Sequence, residues 1–247
     1  MDVHHHSHTP RKKWTHYFWE FFMLFLAVTL GFFVENQREH YIEHKREKQY
    51  VQSFYEDLTA DEVELEGNIE YLRGQVKAAD SLQLLMKNVT TKQPANRIYM
   101  YLREITRSSA GLLYPNDRTI VQLRNAGGMR LIKNKTVSDS MVGYYRTISI
   151  IQFLSENALD NKRSLREKYI PLLNADDFGK IVDSTSRIIN SAEILYLRNT
   201  DPEIINSCLM EVNRIRNINS TLAIRIRGLK EKAARIKDFI KQEYRLE

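Results

Sequence analysis

Hydrophobic residues along this chain follow two patterns in succession. The first is a block. Phe21 to Val34 (FFMLFLAVTLGFFV) runs fourteen residues without a charge, and reaching back to Trp14 gives 21 residues. As a helix that is about 31 Å, the thickness of a bilayer core. Trp14, Tyr17, Phe18 and Trp19 cluster at its start, where amphipathic rings prefer the membrane interface. Arg11, Lys12 and Lys13 lie just outside. No small-x-small cleavage site follows, since the next residues are Glu35, Asn36 and Gln37, so the block reads as an uncleaved signal anchor. The basic cluster favours a cytoplasmic N-terminus and an external main domain.

The second pattern is helical. From Val51 the apolar positions recur every three or four residues: Val51, Phe54, Leu58, Leu65, Ile69, Leu72, Val76, Ala79, Leu82 and Met86, with one polar interruption at Asp61/Glu62. The spacing predicts a coiled-coil seam on a helix over 51–87. Neither Gly nor Pro lies between Phe33 and Glu66, so the membrane helix is expected to continue through a charged collar (35–50) into this seam. A shorter helix is expected over 95–109, then a turn at 111–117. Asp117 can cap a further helix ending at Gly127-Gly128. Thr136 with Asp139 resembles a capping box for a helix stopped by Pro171. Asp176 or Asp177 is expected to cap another, reaching about Leu197. Thr200-Asp201-Pro202-Glu203 offers a Thr cap, Pro in the first turn and Glu after it, opening a last helix over 202–245. Its seam is Ile205, Leu209, Val212, Ile215, Asn219, Leu222, Ile226, Leu229, Ala233, Ile236 and Ile240.

Charge sharpens this layout. Between Lys48 and Arg73 seven acids and no bases give −7, whereas Val212 to Lys241 holds nine bases against Glu231 and Asp238, giving +7. An antiparallel pairing would place the basic last helix beside the acidic first one. With Gly and Pro scarce (9 and 5 of 247), the fold class expected is all-α: a transmembrane helix, a coiled-coil stalk and an antiparallel helical bundle, residues 1–13 being a disordered His-rich tail. Nucleic-acid binding is not expected, because the basic charges flank a complete apolar seam. The one cysteine, Cys208, forms no internal disulfide and reads as packing.

Candidate chemistry is confined to the first 44 residues, which hold all seven histidines. No catalytic histidine lies in the main domain. His40, Glu43 and His44 match H-x-x-E-H, a pattern in which two histidines one turn apart hold zinc and the Glu acts as base. The competing reading is a solvated helix with an acidic stripe (Glu35, Glu39, Glu43, Glu47) and a basic one (His40, His44, Lys48), each able to match a second copy. Protonation of the histidines near pH 6 would tighten such a match. The run His4, His5, His6, His8 can hold a transition metal or be an unstructured tail. Glu20 is the only acid in the apolar block, a place where carboxylates can relay protons; pairing with His16 is the alternative. Ala27 and Gly31 form a small-x-x-x-small pair permitting close helix approach. No phosphate loop, zinc array or nucleophile elbow is present in the sequence, and no cofactor or small-molecule substrate is implied.

Two blocks, His4 to Tyr50 and Leu123 to Tyr145 (LRNAGGMRLIKNKTVSDSMVGYY), resemble an uncharacterised family of single-pass membrane proteins from Bacteroidota. The resemblance implies a bitopic inner-membrane protein of a Gram-negative bacterium and brings no activity or site residues. The function expected is a non-enzymatic, membrane-anchored scaffold or interaction protein, homo-oligomeric or joined to another inner-membrane protein. The alternatives are a proton-coupled subunit using Glu20 and a zinc peptidase.

Overall fold

The computed structural model describes residues 13–107, 113–125 and 127–246. The histidines of the tail, His4, His5, His6 and His8, lie outside the described residues. Among those described the chain is all-α. Its elements are α1 (Trp14–Met86), α2 (Asn96–Ile105), α3 (Arg118–Asn125), a 3-10 turn (Gly128–Leu131), α4 (Lys135–Tyr169), a second 3-10 turn (Ile170–Leu172), α5 (Ala175–Gly179) and α6 (Pro202–Tyr244). Contacts divide the chain into two units, Met1–Gln49 and Tyr50–Glu247, and α1 has residues in both.

In the first unit α1 carries the apolar block. An 18-residue window within it is apolar enough to cross a membrane, and none of that window is buried. Trp14, Leu24 and Phe32 are 80%, 69% and 77% exposed. A core helix of a soluble protein would have hidden these side chains.

In the second unit the seam positions fold inward. Val51, Phe54, Leu58, Leu65, Ile69, Leu72, Ala79, Leu82 and Met86 are buried, and from α6 so are Val212, Ile215, Asn219, Leu222, Ile226, Leu229, Ala233, Ile236 and Ile240. Val76 is only half-buried; its neighbour Gln75 takes the inward place. Ile205 and Leu209 are half-buried too, with Cys208 fully inside between them. Burial pushes the Cys208 thiol pKa up to about 12, with Glu211 adding to the effect, so the side chain behaves as a small apolar group.

The two helices run antiparallel, as the charge pattern predicts. Lys237 reaches Glu62 at 2.7 Å, Lys230 reaches Glu66 at 2.7 Å and Arg216 reaches Asp80 at 2.5 Å. One partner's number rises as the other's falls. Gln83 extends the ladder by donating to Asn213 Oδ1 at 2.8 Å. α4 packs on α6. The buried side chains form two apolar clusters. One joins Val51–Leu72 to α3, the first half of α4 and the second half of α6. The other joins Ala78–Met86 to α2, the end of α4 and the start of α6.

Several local expectations need correction. α4 opens at Lys135, with Asn134 as its cap: the Asn134 side chain accepts from Val137 N–H, displacing the Thr136/Asp139 box. Asn174, not Asp176 or Asp177, caps α5. That helix is five residues long and does not reach Leu197. Residues 180–201 form an extended strap instead. Asp183 Oδ1 accepts from Thr185 and Arg187 N–H, closing a turn in which Ser186 adopts φ 61°. Such Asp- and Ser-rich stretches bond their own backbone in competition with a helix. The strap is then held along α2: Ala95 N–H donates to Leu195 O at 2.7 Å, Leu195 N–H to Asn96 Oδ1 at 2.8 Å, and Tyr99 Oη to Tyr196 O at 3.0 Å.

The cap of α6 is Asp201 rather than Thr200. Its carboxylate accepts from Glu203 N–H at 2.9 Å and Ile204 N–H at 3.2 Å, and Pro202 occupies the first turn. Asp201→Ala should therefore cost about 0.5–2 kcal/mol of stability, and Thr200→Ala clearly less, in thermal or denaturant melts of the full chain. The reverse ranking would return the cap to Thr200.

Candidate functional site

The residues singled out in the first unit share one helix but not one site. Glu20 Oε1 lies 3.0 Å from His16 Nε2, one turn earlier, and both side chains are about half exposed. Ala27 and Gly31 sit one turn apart on an exposed face. A Cβ added at Gly31 would meet nothing within 4 Å, so the backbone there is open to close approach. Further along, His40 Nδ1 lies 4.0 Å from Glu43 Oε2, and His44 Nδ1 lies 3.7 Å from Glu47 Oε2. Arg38 bonds Glu35 at 3.0 Å. Glu35, Glu43 and Glu47 of the acidic stripe and both histidines of the basic one thus find partners three residues apart within the same helix. Among the described residues no group of three or more His, Cys, Asp or Glu gathers to hold a metal ion. Within the His40/Glu43/His44 pattern, His40 approaches Glu43 while His44 turns to the buried Glu47.

The second unit holds the polar constellation that the sequence showed only as an interruption. Asp57 and Asp61, one turn apart on α1, are both buried. Asp61 accepts from Asn116 N–H at 2.7 Å, from Asn116 Nδ2 at 3.0 Å and from Tyr144 Oη at 2.8 Å. Asp57 accepts from Thr119 N–H at 3.1 Å, Thr119 Oγ1 at 2.5 Å and Arg118 Nη2 at 3.2 Å. Tyr145 Oη donates to Asn116 O at 2.8 Å. Two carboxylates of α1 therefore fasten the loop before α3, the first turn of α3 and α4 at one point. Tyr144 and Tyr145 pack edge to face, with centroids 5.4 Å apart, and both lie against Phe54. All four carboxylate oxygens are bonded and both acids are buried, so the arrangement fastens these segments together. The useful sequence signal is the polar interruption at Asp61/Glu62 in an otherwise apolar seam, because a buried acid must be bonded; Asp57 leaves no such mark.

Burial still dominates the charge state of Asp61. Desolvation raises its pKa above the usual carboxylate range against the pull of its hydrogen bonds, and Asp57 raises it further. Tyr144 is pushed upward by burial and then by the Asp61 charge.

A second buried polar group is Lys162 on α4. Its Nζ donates to Arg107 O at 2.9 Å and lies 5.7 Å from the Tyr71 ring centroid. Burial lowers its pKa to about 8; Glu104 opposes the shift and Arg166 reinforces it. Nearby, Gln75 Nε2 donates to both the carbonyl and Oε1 of Glu104 at 3.0 Å. Neither protein-family models, nor curated proteins, nor solved structures give a match to this chain.

A raised carboxyl pKa means the folded state holds that proton more tightly than the unfolded state. The contribution of Asp61 to stability is therefore greatest when it is protonated, and falls as pH rises above the ordinary carboxylate range. Asp61→Asn has no proton to lose. Melts of both chains should show the wild type gaining on the variant as pH is lowered from 7 towards 4. A wild type that loses ground on acidification would mean that the hydrogen bonds, not burial, control the group.

Proposed function

We propose that this chain is a membrane-anchored helical scaffold or interaction protein without enzymatic activity. Residues 14–34 cross a bacterial inner membrane, the N-terminus is cytoplasmic, and the bundle is periplasmic and presented for assembly. The observation that carries this reading is the contrast along α1. From Val51 onward most of its seam side chains are sealed into a core, while from Trp14 to Val34 the apolar side chains are all exposed. Exposing that much contiguous apolar surface to water opposes folding and solubility; hydrocarbon removes the cost. The resemblance of the N-terminal block to single-pass membrane proteins supports the same reading, and Arg11, Lys12 and Lys13 support the orientation.

The homo-oligomer is supported by the open Ala27/Gly31 face. The collar stripes support it less, having partners within their own helix. Proton coupling through Glu20 is disfavoured by its His16 contact, which suits an interfacial pair. The bundle favours a structural role, because Asp57, Asp61 and Lys162 are all committed to bonds that join helices or loops.

The full chain should pellet with membranes and resist carbonate extraction, and deletion of residues 14–34 should release it. Reporter fusions at the C-terminus should read periplasmic. Crosslinking in membranes should trap multimers that Gly31→Leu reduces. Release of the intact chain by carbonate would refute the anchor, and monomers alone would remove the oligomer.

A further inference from the structure

The cations of this bundle are held in different ways. Several that lie near α1 are paired with acids: Lys230 with Glu66, Lys237 with Glu62, Arg216 with Asp80 and Arg118 with Asp57. A second set gathers where α2 ends. Lys162 and Arg166, one turn apart on α4, donate to the carbonyls of Arg107 and Thr106. Arg103, in the last turn of α2, sits with its Cζ 5.2 Å from the centroid of the Phe178 ring. Arg107 follows just past the helix end.

Arg103, Arg107 and Arg166 line a single cleft of about 570 Å³, walled by Tyr169 and Phe178 and bordered by the strap at Ser186. No carboxylate lines it, and among the described residues none of the three guanidinium groups pairs with an acid. Glu104, which acts on the neighbouring Lys162, has its Oε1 already accepting from Gln75. The carbonyls at the α2 terminus, two of them already bonded by Lys162 and Arg166, offer only about half a negative charge. Three fixed positive charges thus surround a volume typical of small-ligand sites with too little negative charge to balance them.

We propose that this cleft binds a phosphate-class oxoanion borne on a small, partly apolar carrier. Guanidinium forks bond phosphate oxygens in pairs, and three of them around one volume suit a tetrahedral dianion better than a single carboxylate. The Tyr169 and Phe178 rings, with centroids 5.8 Å apart and tilted at 39°, form an aromatic wall for the group that carries the phosphate. Arg103 is already stacked on that wall, so its fork is held in place rather than ordered on binding. Arg166 is positioned the same way by its bond to Thr106 O. The strap over residues 180–201, closed at Ser186 and tied along α2, completes the rim. The inference is independent of the anchor, since it uses residues of the bundle alone.

The test uses the full chain in a non-ionic detergent and three probes: inorganic phosphate, phenyl phosphate and a short-chain phosphatidylglycerol. Titration calorimetry and thermal melts are run against sodium chloride of equal ionic strength. Phenyl phosphate should bind saturably and more tightly than inorganic phosphate. The Arg103→Gln/Arg107→Gln double variant should weaken it by about tenfold or more, while Arg225→Gln, on an exposed turn of α6, should leave it unchanged. If only the phosphatidylglycerol binds, with the same arginine dependence, the site stands and its ligand is a lipid headgroup. If the double variant does not fold, Arg107→Gln alone serves, because the Arg107 side chain makes no hydrogen bond among the described residues; a several-fold loss is expected. The proposal is overturned if no probe exceeds the chloride control, or if binding survives the loss of the arginines.

Discussion

Two long helices with apolar seams cannot both leave those seams in water, and the antiparallel contact between the Tyr50–Met86 part of α1 and α6 is where that constraint is met. Burial supplies the driving force, but burial alone does not select direction, because an apolar stripe packs nearly as well either way up. Charge does select it. The acids of residues 56–70 come opposite the bases of residues 226–240 only in the antiparallel arrangement, as Glu62–Lys237 and Glu66–Lys230 show. Partly exposed pairs of this kind add little to stability. Their effect is on alternatives, since a parallel or displaced pairing would bring like charges together. Glu66, whose pKa is lowered first by its hydrogen bond from Lys230, shows the interaction acting on the carboxylate itself.

Direction settled, register is narrowed by polar residues within the seam. Gln75 and Asn219 are each 1% exposed and lie where the two apolar clusters give way to one another. Sliding α6 by a turn would part Lys237 from Glu62 and Lys230 from Glu66. A single polar residue at a core position is a well-attested way of fixing helix alignment at some cost in stability. The remaining elements follow from that alignment. Asp57 and Asp61 hold the entry to α3 against α1, Tyr144 brings α4 to the same point, and Lys162 and Arg166 close the end of α2.

This hierarchy explains which parts of the fold could be read from the chain. The long helices carry their own periodicity, so the α1 and α6 seams, the start at Pro202 and the stop near Pro171 are visible locally. The strap is not. Residues 180–201 contain Ile188, Ile189, Ile194, Leu195 and Leu197, which can be mistaken for a helical stripe, but their backbone partners come from Ala95, Asn96 and Tyr99 nearly a hundred residues away. Capping residues were misplaced by one or two positions because neighbouring Asn, Asp and Thr compete for the same N–H groups, and only the realised backbone angles decide. Asp61 was visible as a break in a pattern; that the break was a fastening point depended on Asn116 and Tyr144. The arginine cleft was the least legible, being assembled from three segments far apart in sequence, though Arg103/Arg107 and Lys162/Arg166 each share the one-turn spacing that puts two cations on one helical face or its extension.

Two surfaces remain that the chain does not satisfy by itself, and they are of opposite kinds. The apolar block from Trp14 to Val34 exposes rings and aliphatic groups with nothing of the chain's own to cover them. The α2 terminus gathers guanidinium groups around a cleft with no carboxylate in its described lining, whereas Lys230 and Lys237 are set against acids. Cations gathered at one cleft are conspicuous for the same reason exposed apolar residues are conspicuous on a helix: their mutual repulsion implies a free-energy cost that an outside partner would offset. The first points to hydrocarbon and the second to an oxoanion. A scaffold that carried both would hold a ligand-sensitive joint, because the strap and the ends of α2 and α4 meet at the cleft. An anion bound there would tie together three segments that now depend on carbonyl contacts and one stacked arginine.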